Sequence, residues 1–185
     1  MANYPKILAT RPAEKSRFLN AEEVDLQFSN GERRTHERVI SSGLGAALIV
    51  PMIDDETVLL ISEYSVGLDH YELGLPKGRL DRDETVEQGA NRELKEEAGY
   101  GARHLKIIGA LSLAPAYMTH MTHVVLATDL YPEKLQGDEP EPLKVSRWPM
   151  AKLHELVARD DVTEGRTIAA LFMAREYLAG RYKPQ

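Results

Sequence analysis

GRLDRDETVEQGANRELKEEAGY, residues 78–100, is the stretch that decides how this chain folds. Thr85 and Gln88 form a T-x-x-Q capping box ahead of Val86, and Gly99 supplies a left-handed stop, so the spacing predicts one helix over residues 86–98. At roughly 100° per residue, Val86, Ala90 and Leu94 share an apolar face. Glu93 and Glu97 are neighbours one turn apart, and Glu96 stands one step round from both. A solvated acidic helix would explain the charges but not the position of Glu97, which falls at nearly the azimuth of Val86 and Ala90. Desolvating a lone carboxylate costs several kcal/mol unless a cation compensates.

Mg²⁺ supplies such a counter-charge, because it prefers octahedral oxygen ligands and is commonly shared between a few carboxylates and substrate phosphates; Mn²⁺ suits the same donors. Arg92 is placed to orient Glu93 or Glu96 through a charge-assisted fork. Gly78 reads as a backbone turn whose neighbouring carbonyl, that of Lys77, faces the metal, and Glu84 braces the loop. The whole stretch fits G-x5-E-x7-R-E-U-x-E-E-x-G-U (U a bulky apolar residue) and so resembles the Nudix box, with Gly78, Glu84, Arg92, Glu93, Glu96, Glu97 and Gly99 at its fixed positions. The resemblance implies metal-assisted attack of water on a pyrophosphate.

The likeness extends through YELGLPKG before the box and LSLAPAY and DLYPEKLQGDEPEPL after it. These segments are similar to the ADP-compounds hydrolases and ADP-ribose pyrophosphatases within the Nudix family. That similarity implies a substrate such as ADP-ribose, a diadenosine polyphosphate or NADH, cleaved to AMP and a second phosphorylated product. It implies Glu93, Glu96, Glu97, Glu141 and the Lys77 carbonyl as metal ligands, with Glu139 as general base and Glu96 and Arg92 assisting catalysis. Arg38, Glu72, Pro115 and Tyr117 become substrate contacts, with His120 and His123 second choices for the base. The resemblance also implies a homodimer in which the N-terminal sheet exchanges between subunits and completes the pocket. One departure argues for broad action on ADP-linked compounds: where ADP-ribose enzymes tend to read E-Q-Y/F-R, this chain reads Glu63-Tyr64-Ser65-Val66. The alternatives are an ADP-ribose-binding regulatory module that does not hydrolyse its ligand, and an RNA 5′-pyrophosphohydrolase.

Composition constrains these readings. The formal net charge of −6 gives no global basic field, which disfavours nucleic acid and leaves phosphate to a metal and local arginines. The absence of cysteine excludes disulfides and cysteine-ligated zinc, and fits a reducing compartment. No apolar run approaches a membrane span, so a cytoplasmic location is expected.

Around the box, alternation and turn signals predict strands at residues 7–9, 17–28 and 32–39, the last two joined by Ser29-Asn30-Gly31. This antiparallel element, residues 1–44, has too few apolar residues to stand alone and precedes a hydrolase domain at 45–185. Strands are expected at 45–53, 58–64, 71–75, 105–113, 123–130 and 143–148. Pro149 reads as the first residue of a helix over 150–158, and a final helix over 162–179 carries an apolar stripe through Ile168, Leu171 and Leu178. The mixture predicts an α/β fold, a mixed sheet sandwiched between helices.

Overall fold

In the computed structural model, which describes residues 20–41 and 45–184, the central sheet forms where the sequence is continuously apolar. The strands are β1 (Asn20–Gln27), β2 (Arg33–Ile40), β3 (Ala46–Pro51), β4 (Thr57–Ser65), β5 (His70–Gly74), β6 (Lys77–Arg79), β7 (Tyr100–Ser112), β8 (Met121–Pro132) and β9 (Lys144–Pro149). The helices are α1 (Val86–Ala98), α2 (Leu153–Leu156) and α3 (Gly165–Leu178).

Four strands make a mixed sheet in the order β6-β3-β8-β7, in which β3 and β8 run parallel and the other neighbours antiparallel. All of β3, AALIVP, is buried, because helices cover both faces. Ala47 and Ile49 pack in one cluster with Ala90, Leu94 and Ala98 of α1. Leu48 and Val50 pack in the other with Ala170, Leu171 and Ala174 of α3. The molecule is thus the expected α/β/α sandwich, supplemented by an antiparallel sheet, β5-β4-β9, whose Leu60 and Ile61 enter the two clusters.

β1 and β2 pair as a hairpin from Asn20↔Ile40 to Gln27↔Arg33, and Gly31 takes a positive φ of 87° in the connecting turn. The hairpin is largely exposed and joins the body at its root: the Val39 N–H donates to the Tyr117 carbonyl at 2.7 Å, and the Thr119 N–H to the Val39 carbonyl at 3.0 Å. The strand expected at residues 7–9 and the first residues of that expected at 17–28 lie outside the described residues.

Several elements differ from expectation for local reasons. β7 begins at Tyr100 rather than 105, because left-handed Gly99 (φ 75°) turns the chain straight into a strand whose ladder with β8 runs from Tyr100↔Pro132 to Ser112↔Met121. Pro149 is the last residue of β9, with extended backbone (φ −70°, ψ 129°), and a 3₁₀ turn at Met150–Lys152 precedes the short α2. α3 starts at Gly165 because the Glu164 carboxylate caps it, accepting from the Thr167 N–H at 2.9 Å. Small Ala170 and Ala174 flank Leu171 on its buried face, whereas Leu178, expected in the stripe, is 47% exposed. Among the described residues no helix is long and apolar enough to cross a membrane.

Candidate active site

Both ends of α1 are fixed by the residues the sequence marks. The Gln88 N–H donates to Thr85 Oγ1 at 3.2 Å, the Thr85 N–H to Gln88 Oε1 at 2.9 Å, and the Gly99 N–H to the Leu94 carbonyl. The face turned to the sheet carries Ala90, Leu94 and Ala98, and with them Glu93 and Glu97, which are 9% and 4% exposed. The packing of an apolar helix face therefore brings two carboxylates under cover.

Arg92 and Lys77 balance that charge. Arg92 Nε and Nη2 donate to the two Glu84 oxygens at 2.7 and 2.9 Å, while Nη1 donates to Glu93 at 2.7 Å and to Glu96 at 2.9 Å. Nη2 also reaches the Arg79 carbonyl at 3.1 Å. These bonds to Glu84, Glu93 and Glu96 outweigh burial and hold the guanidinium pKa above its usual value. The Lys77 N–H donates to Glu97 Oε2 at 2.8 Å, and its ammonium donates to Glu63 at 2.7 Å. Burial works against the Lys77 charge, yet Glu63, Glu97 and Glu164 keep its pKa raised. Burial pushes the Glu97 carboxyl up to about 8 despite Lys77, and burial raises Glu93 despite Arg92.

Glu63, Glu93, Glu96, Glu97 and Glu139 line one cavity of about 760 Å³ together with Lys77, Arg79 and Arg92. Its donors are carboxylate oxygens, which fit Mg²⁺ or Mn²⁺ rather than a thiolate-seeking metal. Among the described residues no three such groups already converge on one point, and Arg92 Nη1 bonds both Glu93 and Glu96.

Gly78 is not a turn residue. It lies in β6 opposite Ala47, and a Cβ there would stand 2.0 Å from Glu93 Cδ, so the glycine is required by close approach. Glu84, held by the Arg92 fork, braces the loop before α1 by accepting from the Asp81 N–H at 3.1 Å, while Arg92 Nη2 reaches the Arg79 carbonyl at the start of the loop.

The remaining candidates are dispersed. Glu139 faces the carboxylate cavity, but Glu141 does not line it; the Tyr71 hydroxyl donates to its carboxylate instead. Glu72 accepts from the Thr163 N–H and hydroxyl, both at 3.0 Å, and pairs with His70. It lines an adjoining cavity of about 560 Å³ that shares Glu63 and Lys77 with the first. Arg38, Pro115 and Tyr117 come together at the hairpin root, in a cavity of about 340 Å³ with no lining residue in common with either, and Arg38 is paired with Glu22 at 2.6 Å. His120 lies between the Ser41 and Thr122 hydroxyls, at 3.1 and 3.2 Å, and burial and Arg166 lower its pKa; His123 sits in β8 opposite Ala47 and Ala110. Glu63 is the residue sequence reasoning passed over: a carboxylate two residues past buried Ile61 in β4 was the available signal.

Residues 44–172 match the family model of the NUDIX domain, and residues 5–38 that of the NudE-type Nudix hydrolase N-terminal domain. The chain is 48% identical over 177 residues to the ADP compounds hydrolase NudE of Escherichia coli (strain K12), covering 96% of this chain and 95% of that protein. It shares 29% identity over 149 residues with the ADP-ribose pyrophosphatase of Bacillus subtilis (strain 168), 80% of each chain. A crystal structure of an ADP compounds hydrolase superposes with a TM-score of 0.82 at 46% identity, covering 98% of this chain and 97% of that one.

Proposed function

The chain belongs to the Nudix hydrolases, and from that premise we propose that it hydrolyses the pyrophosphate of ADP-linked compounds, releasing AMP and a second phosphorylated product. The observation that carries this reading is the one cavity that Glu93, Glu96, Glu97 and Glu139 line together. Glu93, Glu96 and Glu97 would hold a divalent cation, Mg²⁺ with Mn²⁺ as the alternative, which would neutralise charge on the phosphate oxygens and lower the pKa of bound water.

The protein's own groups do the rest. Glu139, on the loop opposite α1, accepts the proton of the attacking water. Arg92 holds Glu93 and Glu96 in place and anchors itself on Glu84. Lys77 directs a positive charge along the boundary of the two adjoining cavities, where the substrate's second half has room beside Glu72. The names of two related proteins, an ADP compounds hydrolase and an ADP-ribose pyrophosphatase, support ADP-linked substrates, of which ADP-ribose, diadenosine polyphosphates and NADH are the ones proposed.

The enzyme acts as a cytoplasmic homodimer in this reading. Leu26 and Phe28 on the protruding hairpin are exposed, and Arg38, Pro115 and Tyr117 lie apart from the carboxylate cavity of the same chain, which favours their contribution to a partner's pocket. The test is AMP release from a panel of ADP-linked compounds at matched Mg²⁺, followed by chromatography. Turnover of at least one compound, abolished by chelation, is the expected result; binding of ADP-ribose without AMP release would replace the enzyme with a regulatory module. Faster release of pyrophosphate from 5′-triphosphorylated RNA than of AMP from any of the compounds would also overturn the reading.

A further inference from the structure

The loop bearing Glu139 is bound at its start to α1, where the Leu135 N–H donates to the Lys95 carbonyl at 3.2 Å and the Lys134 ammonium to that of Glu96. At its far end β9 begins, with Lys144 opposite Ser62. Between these points the loop reads Gly137-Asp138-Glu139-Pro140-Glu141-Pro142, and each proline drives the glutamate before it toward extended backbone. Gly137 makes room for the fold of the loop, since a Cβ there would stand 2.3 Å from Glu139 Oε2.

Glu141 has a different neighbour. Its carboxylate accepts from the Tyr71 hydroxyl, and Tyr71 is itself held. Tyr71 lies opposite Tyr64 in the β4–β5 ladder, with the ring centroids 5.4 Å apart and the planes at 71°, an edge-to-face pair. The Tyr64 hydroxyl in turn donates to Asp69, which sits at φ 58° in a turn closed by the Asp69 N–H on the Ser65 carbonyl at 2.8 Å. Beneath the loop, Tyr64, Glu63, Pro140, Leu143 and both loop glutamates enclose a cavity of about 350 Å³. The contacts seen between the middle of this loop and the β4–β5 hairpin run through side chains.

We propose that Tyr71 is a positioning residue for Glu139: by holding Glu141, its hydroxyl docks the loop on the β4–β5 hairpin and presents Glu139 to the carboxylate cavity. The inference rests on the reading of Glu139 as the group that takes the water's proton. It gives Glu141 a part in the latch. The two rigid prolines transmit the restraint, because a loop pinned at Glu141 leaves Glu139 few backbone conformations.

Tyr71→Phe tests this, since the ring stays packed on Tyr64 while the hydroxyl is lost. The expected result is faster amide hydrogen exchange at the non-proline residues of 137–143, a kcat roughly tenfold to a hundredfold lower, little change in KM and an unaltered Mg²⁺ half-saturation. In a Glu139→Gln background the same substitution should lower kcat no further, because there is no base left to position. Glu141→Gln keeps an oxygen acceptor for Tyr71 and should retain wild-type exchange in the loop. Wild-type exchange in Tyr71→Phe would overturn the proposal, as would a fully additive loss in the Glu139→Gln background. Exchange is read without substrate, so failure of the latch is distinguishable from failure of the assigned reaction, which would appear as no AMP release from the wild-type protein.

Discussion

Gly78 and Glu93 are in contact: the space a Cβ on Gly78 would fill is already taken by the Glu93 carboxylate, whose oxygens would lie 2.1 and 2.2 Å away. Gly78→Ala must therefore push Glu93 from the position in which Arg92 and the cavity hold it. The side chain can give way, but moving it disturbs its bond to Arg92. We expect kcat to fall about a hundredfold and overpacking to cost about 1–3 kcal/mol. Steady-state kinetics and a thermal melt check the two halves separately.

Arg92→Lys keeps a positive charge and loses the fork. A lysine cannot bond both Glu84 oxygens while also reaching Glu93 and Glu96. Metal-supporting residues of this kind typically change affinity or activity by about 10–100-fold when altered. The variant should show a fall of that order in kcat together with a raised Mg²⁺ half-saturation; a Mg²⁺ titration that superposes on the wild type would separate Arg92 from the metal site.

Thr85→Ala is the converse case, touching the helix and not the chemistry. Removing Oγ1 leaves the Gln88 N–H without its cap at the end of α1. Such losses cost about 0.5–2 kcal/mol, and in a chain of this size each kcal/mol lowers Tm by about 2–4 °C. The melt should shift by that amount while kcat under stable conditions stays within about twofold of the wild type, which is about 0.4 kcal/mol in the barrier.

How much of this was legible beforehand depended on range in the sequence. The helix, its caps and the buried position of Glu97 follow from spacings within residues 85–99, and the fold keeps them. Local reading failed where a residue's reason lies across the fold. Gly78 offers the same letter whether it serves a turn or a close approach, and only α1 packed against β6 reveals the second. Glu63 meets Lys77 because β4 and β6 converge on one cavity, and Glu141 meets Tyr71 across seventy positions of chain. Pro149 and Leu178 were misjudged for a related reason: a short helix signal yields to a β-strand that pairs through its last residue, and a periodic stripe does not say where burial ends.

Glu97 makes stability in the absence of metal depend on pH in a direction that can be worked out. Burial raises its carboxyl from 4.5 to about 8, and burial raises Glu93 in the same sense. The protonated form is thus the one the folded metal-free protein favours. Below the unfolded value of 4.5 both states carry the proton and the full stability is present; as pH rises towards about 8 the unfolded chain releases it more readily, and stability is lost progressively. Melts recorded in chelator should therefore show Tm falling across this window, beyond the trend of the exposed groups. Glu97→Gln carries a neutral amide at every pH, so its melting curve should lose most of that slope. Added Mg²⁺ should raise the wild-type Tm most at the alkaline end, where the carboxylate is ready to receive it. The same variant should lose kcat by orders of magnitude with its circular dichroism unchanged. Near-wild-type turnover in Glu97→Gln, or a wild-type Tm that rises through this window in chelator, would remove Glu97 from the cation site.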